Sequence, residues 1–307
     1  MRQEKQNPSE KLLGKPTPAK TAGVVFSAAL ILPTLLAFVA VIFLAVCGLT
    51  PTAGQMPDWY LYLNYTLTPL AFGLVAFWAL RYNKKTLTVA FQANCCKAKY
   101  YIIALALQFG LFSLGTLNTY FLQFLGKFGY QDTPIQLPSL DGFGLIGVIF
   151  VVAVLPAIFE ELIFRGILLR GLKCFGTAGA VLLCGLLFSI YHQNPAQTLY
   201  QFCCGAAFAL MAIRAGSIFP TVVSHFINNA LIIILTKYQI NSFPNWLLFA
   251  CIVCLIGSLG YLIFAEKNNE KSTQNKQEKK SFFLFAAAGI VICVVSWIAV
   301  ILTGFGG

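Results

Sequence analysis

Charge is scarce in this sequence, and histidine is scarcer still. Only 10% of the 307 residues are Asp, Glu, Lys or Arg, with ten acidic side chains and two histidines in all. Soluble domains run nearer a quarter charged, so an ordinary globular enzyme is excluded. The cysteines do not make a disulfide framework either. There are ten cysteines, but most lie inside apolar runs, and Cys95-Cys96 and Cys203-Cys204 are directly adjacent. They read as small apolar residues and reduced thiols. The net charge of +11 sits mostly in short loops between apolar runs. That placement fits topology-setting charge beside anionic lipid and excludes a nucleic-acid partner.

What the chain has in quantity is apolar length, at 58% hydrophobic residues. A spanning helix needs about 20 mainly apolar residues, because the hydrocarbon core is about 30 Å thick and each residue rises about 1.5 Å. Nine candidate segments satisfy or approach that length: Val24–Leu49, Trp59–Leu80, Tyr100–Leu125, Phe143–Leu172, Thr177–His192, Thr198–Ile213, Ile218–Leu235, Trp246–Ala265 and Phe282–Leu302. The expectation is an all-α polytopic membrane bundle of eight to nine transmembrane helices. The fifth and sixth segments are short and meet at Asn194-Pro195, a turn signal, so they form either two spans or a re-entrant hairpin. The first apolar run is too long for a signal-peptide core and reads as a retained helix.

Charge distribution gives the orientation. With the N-terminus cytoplasmic, all but two of the 21 Lys and Arg fall on inner segments, the exceptions being Lys127 and Lys237. The chain divides into a cytoplasmic tail (1–23), N-terminal spans (24–142), a core (143–235) and C-terminal spans (236–307). The last part contains a basic, solvated linker at 266–280.

Eight of the ten acidic residues lie in loops or the tail. The other two, Glu160 and Glu161, stand inside the fourth segment, and both histidines, His192 and His225, also fall in apolar segments. An ionisable residue at the bilayer centre costs about 2.5–3.5 kcal/mol on insertion scales, so a cluster of four between 160 and 225 points to function. Helical spacing divides their labour. Glu161 and Arg165 are i,i+4 and can neutralise each other, whereas Glu160 is turned about 100° away and stays free. Pro156, one turn earlier, brings no N–H to the Val152 carbonyl, which implies a kink or local opening beside the site. Phe188 and His192 share a face at i,i+4, and His225 and Asn229 repeat the spacing. Asn228 lies off that row.

Singly, a buried histidine reads as a satisfied packing residue, Asn229 as interhelical glue and Phe188 as a packing ring. Jointly, Glu160, His192 and His225 read as function. A carboxylate with imidazoles can activate water, and an imidazole or amide donor can stabilise an oxyanion. The same Glu and two His equally suit zinc with one open position.

Glu160-Glu161-x-x-x-Arg165, Phe188-x-x-x-His192 and His225-x-x-x-Asn229 resemble the EExxxR, FxxxH and HxxxN motifs of the CAAX prenyl protease and bacteriocin-processing family of intramembrane proteases, also called Abi-type. Gly205 and the run from Arg214 to Pro220 resemble the segment leading into the last motif. The resemblance spans about residues 145–235. It implies an endopeptidase in which Glu160 and His192 activate the water, His225 and Asn229 form the oxyanion site, and Glu161, Arg165 and Phe188 support them. Members are described both as metalloproteases and as glutamate-type enzymes, so zinc on Glu160, His192 and His225 stays open, with the metal-free scheme preferred.

The implied partners are a peptide or membrane-protein substrate and the lipid bilayer, in a bacterial cell membrane. Two other classes compete: a non-catalytic scaffold or regulator of the same fold, and a proton-coupled transporter. The transporter lacks support from inverted repeats or paired broken helices. One geometric tension accompanies the enzyme reading. If the fourth helix runs to Leu172, Glu160 lies about 18 Å from its inner end, and His192 sits somewhat higher on its own helix.

Overall fold

A computed structural model describes residues 18–51, 56–83, 93–132, 135–240, 242–265 and 275–306. Of the described residues 84% are helical, and no strand occurs among them. Among the described residues, eight helical stretches are long and apolar enough to cross a membrane. The protein is an all-α, multi-pass integral membrane bundle. In chain order the helices are α1 (Pro18–Val46), α2 (Asp58–Asn83), α3 (Lys99–Gly126), α4 (143–172), α5 (Gly176–Tyr191), α6 (Thr198–Ala215), α7 (Phe219–Lys237), α8 (Asn245–Ala265) and α9 (Lys276–Phe305).

Helices α4 and α5 belong to one apolar stretch, Phe143–Tyr191, of 49 residues. Straight, it would be about 74 Å long, more than twice the hydrocarbon thickness. It folds back instead. A short tight turn at Lys173–Phe175 is followed by Gly176 at φ +85°, a conformation glycine adopts without steric cost. The return is antiparallel: the Cys184 thiol donates to the Phe164 carbonyl, and the Phe164 and Phe188 rings meet edge to face at 5.0 Å. The single stretch therefore supplies two of the nine expected segments.

Helices α5 and α6 have 16 and 18 residues, and with its preceding turn α6 reaches a spanning length of 21 residues, Pro195–Ala215. They pack against each other through glycine. A Cβ on Gly205 would stand 2.8 Å from the Gly185 Cα, so only small residues allow this approach. Their connection turns at Gln193, which takes φ +52°, and at Asn194, whose side chain accepts from the Ala196 N–H. The terminal helices α1 and α9 meet in the same way. A Cβ on Gly23 would lie 2.6 Å from the Phe282 carbonyl oxygen, and the Ser27 hydroxyl donates to Phe285 O at 2.7 Å.

Two helices start well before the expected spans. Helix α1 begins at Pro18 rather than 24, inside the expected tail, of which residues 1–17 lie outside the described residues. The expected linker 266–280 is described only from 275, and Lys276 already begins α9. Asn275 explains the early start: its side chain accepts from the backbone N–H groups of Gln277 and Glu278, an N-cap strong enough to open a helix among lysines.

Candidate active site

Helix α4 is irregular where it carries polar residues. Widened turns at Ile149–Val154 and Leu162–Leu168 bracket the regular segment Leu155–Glu161, which holds Pro156 and both glutamates. Widened turns of this kind are frequent at functional sites. The helix continues to Leu172 with Arg165 fully buried at 0% exposure, so the arginine faces the protein interior.

The twin glutamates part as their helical phase requires. Glu161 Oε1 accepts from Arg165 Nη1 at 2.5 Å, with both side chains fully buried. The guanidinium also donates to the Gly205 carbonyl on α6 at 3.3 Å. It is caged by Phe188 at 4.4 Å and Phe208 at 5.3 Å from their ring centroids. Helix α6 can supply that carbonyl because Gly205 and Gly185 let it come close. Glu160 is 8% exposed, and its Oε2 has no hydrogen-bond partner among the described residues. The nearest basic atom to it is His225 Nε2, at 3.8 Å.

His225, on α7, stands between the two carboxylates. Its Nδ1 lies 2.9 Å from Glu161 Oε1. A carboxylate only accepts, so Nδ1 carries the proton and Nε2 turns toward Glu160. Spacing could not show this contact, because Glu161 and His225 are 64 positions apart. Glu161 thus does more than neutralise Arg165: it also fixes the ring of His225.

His192 ends α5. Its Nδ1 lies 2.7 Å from the carbonyl oxygen of Phe188, one turn back on the same helix. A carbonyl accepts only, so Nδ1 is again the donor and Nε2 keeps a free lone pair. The Phe188 ring lies edge-on to both imidazoles, at 4.8 Å from His192 and 5.9 Å from His225. One aromatic ring therefore lies beside both histidines.

Asn229 is placed differently from its neighbours on the motif row. Its Nδ2 donates to the Val152 carbonyl at 3.0 Å, the group that Pro156 leaves without its helical N–H partner. Its Oδ1 accepts from Asn228 Nδ2 at 3.0 Å. Asn228, off the expected row, is 3% exposed and reaches two more buried polar groups, Gln108 on α3 and Tyr200 on α6. Sequence spacing gave no signal for Gln108 or Tyr200, apart from the presence of a glutamine within an apolar segment.

The residues do not fit a zinc site as they stand. Zinc in a hydrolase takes three protein ligands and a water. Glu160 and His225 face each other, but no three His, Cys, Asp or Glu side chains are grouped to hold a metal among the described residues. Each imidazole has Nδ1 on an oxygen acceptor and Nε2 left over, an arrangement that metal-bound histidines also use, so the missing grouping alone speaks against zinc.

No curated protein and no solved structure matches the chain. A family model does: residues 142–231, which include all three motifs with Glu160, His192, His225 and Asn229, match the type II CAAX prenyl endopeptidase Rce1-like family.

Proposed function

We propose that this protein is an intramembrane endopeptidase that hydrolyses peptide bonds of membrane-associated or secreted peptides at Glu160, without a metal. The observation that carries the reading is the division of the two carboxylates. Glu161 Oε1 takes both Arg165 and His225. Each glutamate also has a buried Oε2 without a hydrogen-bond partner among the described residues, but Glu160 has only an imidazole nitrogen, 3.8 Å away, beside it. An adjacent pair with one structural and one free member is what a general base in an apolar bundle requires.

In this scheme Glu160 takes a proton from water, assisted by the free Nε2 of His192, and the water oxygen adds to the scissile carbonyl. The negative charge that develops on that carbonyl oxygen is met by His225 and Asn229. A proton on His225 Nε2 makes it a donor. It also balances the cluster, because Glu160, Glu161, Arg165 and protonated His225 together carry no net charge. Collapse of the tetrahedral intermediate breaks the C–N bond, and the proton held by Glu160 passes to the leaving amine.

The experiment is substrate trapping with Glu160→Ala in the native membrane, comparing retained membrane and secreted peptides by mass spectrometry against the unsubstituted protein. Peptides that accumulate uncleaved on the variant, and appear cleaved with the unsubstituted protein, support the assignment. Identical cleavage with both proteins refutes it. A scaffold of the same fold predicts the same bound partners with both proteins and no cleavage.

A further inference from the structure

An amide side chain can serve an oxyanion only if it faces it with nitrogen rather than oxygen, and the two orientations of Asn are nearly isosteric. Around Asn229 the orientation is determined by its partners. The Val152 carbonyl can only accept, so the atom 3.0 Å from it is Nδ2. Asn229 Oδ1 then needs a donor, which is Asn228 Nδ2 at 3.0 Å. That in turn requires Asn228 to point its oxygen the other way. There it receives two donors, the Tyr200 hydroxyl at 2.6 Å and Gln108 Nε2 at 2.9 Å. Each of the three amides has one permitted orientation, because reversing any one leaves acceptor facing acceptor, although Gln108 Oε1 at the end of the chain has no partner among the described residues.

The chain is also sheltered. Gln108, Tyr200 and Asn228 are 1%, 7% and 3% exposed, so water cannot substitute for a lost partner at no cost. Gln108 stands on α3, outside residues 142–231, and donates across 120 positions of sequence.

We propose that Gln108, Tyr200 and Asn228 are positioning residues that hold the Asn229 amide nitrogen-first. One N–H of Nδ2 is fixed on the Val152 carbonyl, and the second is kept for the substrate oxyanion. The inference rests on the oxyanion role given to Asn229 above. Loss of one oxyanion donor in a hydrolase lowers kcat by about 10²–10³. A misoriented amide is expected to reproduce part of that loss without changing how substrate binds.

The test is a double-mutant cycle in the purified full-length protein, on any peptide the trapping experiment yields. Asn228→Leu is expected to lower kcat roughly 10- to 100-fold with KM within about twofold, and Gln108→Leu and Tyr200→Phe roughly threefold to tenfold each. In an Asn229→Ala background all three are expected to have no further effect, because the group they orient is gone. Repetition of the full losses in that background overturns the proposal, since a purely structural role would add. A second measurement does not need activity or the more disruptive Asn228 variant. With ¹⁵N-asparagine labelling, the Asn229 side-chain amide signal, identified by its loss in Asn229→Ala, is expected to shift in Gln108→Leu; an unmoved signal overturns the relay. Full activity of Asn229→Ala would overturn the oxyanion role instead, and the amide signal alone would then judge the relay.

Discussion

Truncating Glu161 to alanine puts a cost on the pair at the centre of α4. Glu161 and Arg165 are both 0% exposed, so the guanidinium cannot turn to water when its carboxylate is removed. What remains to it is the Gly205 carbonyl at 3.3 Å and the aromatic cage of Phe188 and Phe208, contacts already present with Glu161 in place. They offset nothing that is lost. Removing one member of a buried pair destabilises by about 3–5 kcal/mol, and at about 2–4 °C per kcal/mol that is a fall of roughly 6–20 °C in Tm. The assay is built into the chain. Cys184 and Cys204 are 0% and 2% exposed in the same interior, so labelling by a thiol-reactive fluorophore beyond that of the exposed Cys47 and Cys95 reports unfolding in detergent. A rescue is also expected: Glu161→Leu combined with Arg165→Met removes both charges and recovers the part of the loss due to the unpaired guanidinium, while the His225 Nδ1–H stays without its acceptor. A Tm for Glu161→Ala within about 2 °C of the unsubstituted protein, or a double variant no more stable than the single one, would refute the account.

Glu160→Gln, by contrast, is expected to lower peptidase activity by roughly 10²–10⁴, the usual contribution of a general base, with Tm nearly unchanged; retained activity in a purified preparation would show that the base is elsewhere. Elemental analysis of chelator-washed, active protein is expected to find less than about one-tenth mole of zinc per mole, since no three-ligand group is assembled. Stoichiometric zinc, lost with activity in both His192→Ala and His225→Ala, would make this a metalloprotease. Reporters fused at the N-terminus and within 266–274 are expected to read cytoplasmic, and one after Gly307 to read external. A cytoplasmic signal after Gly307 would remove one crossing from the nine.

The bundle was legible in the sequence because a bilayer leaves few alternatives: backbone polar groups must be satisfied within each segment, so apolar length and loop charge carry most of the information. Legibility failed where local chemistry overrode composition. The stretch 275–280 reads as a charged linker, yet Asn275 caps two backbone donors and the helix starts there. The join of α4 and α5 into one folded stretch depends on Gly176 at φ +85°, a backbone value that composition does not announce.

The site divides in the same way, between what one helix can state and what only two can. Within a helix, i,i+4 spacing is geometry, so the Glu161–Arg165 pair and the Phe188–His192 row could be read directly. Across helices the sequence is silent on distance. It offered His225 and Asn229 as a pair on one face, but not that Glu161 would hold the His225 ring, nor that Asn229 would close the carbonyl opened by Pro156. The proline was visible and so was the orphaned carbonyl it creates. A buried acceptor in a bundle must find a donor, because leaving one unsatisfied costs about 1–3 kcal/mol. That requirement could have prompted a search for an amide on a neighbouring helix. Asn228 and Asn229 were the asparagines in the seventh segment, and helical phase alone could not decide which of them faced α4. The answer came from Gln108 and Tyr200, which draw Asn228 toward α3 and α6 and leave Asn229 for Val152. The polar residues that decide the geometry of this site therefore lie partly outside the motifs that advertise it.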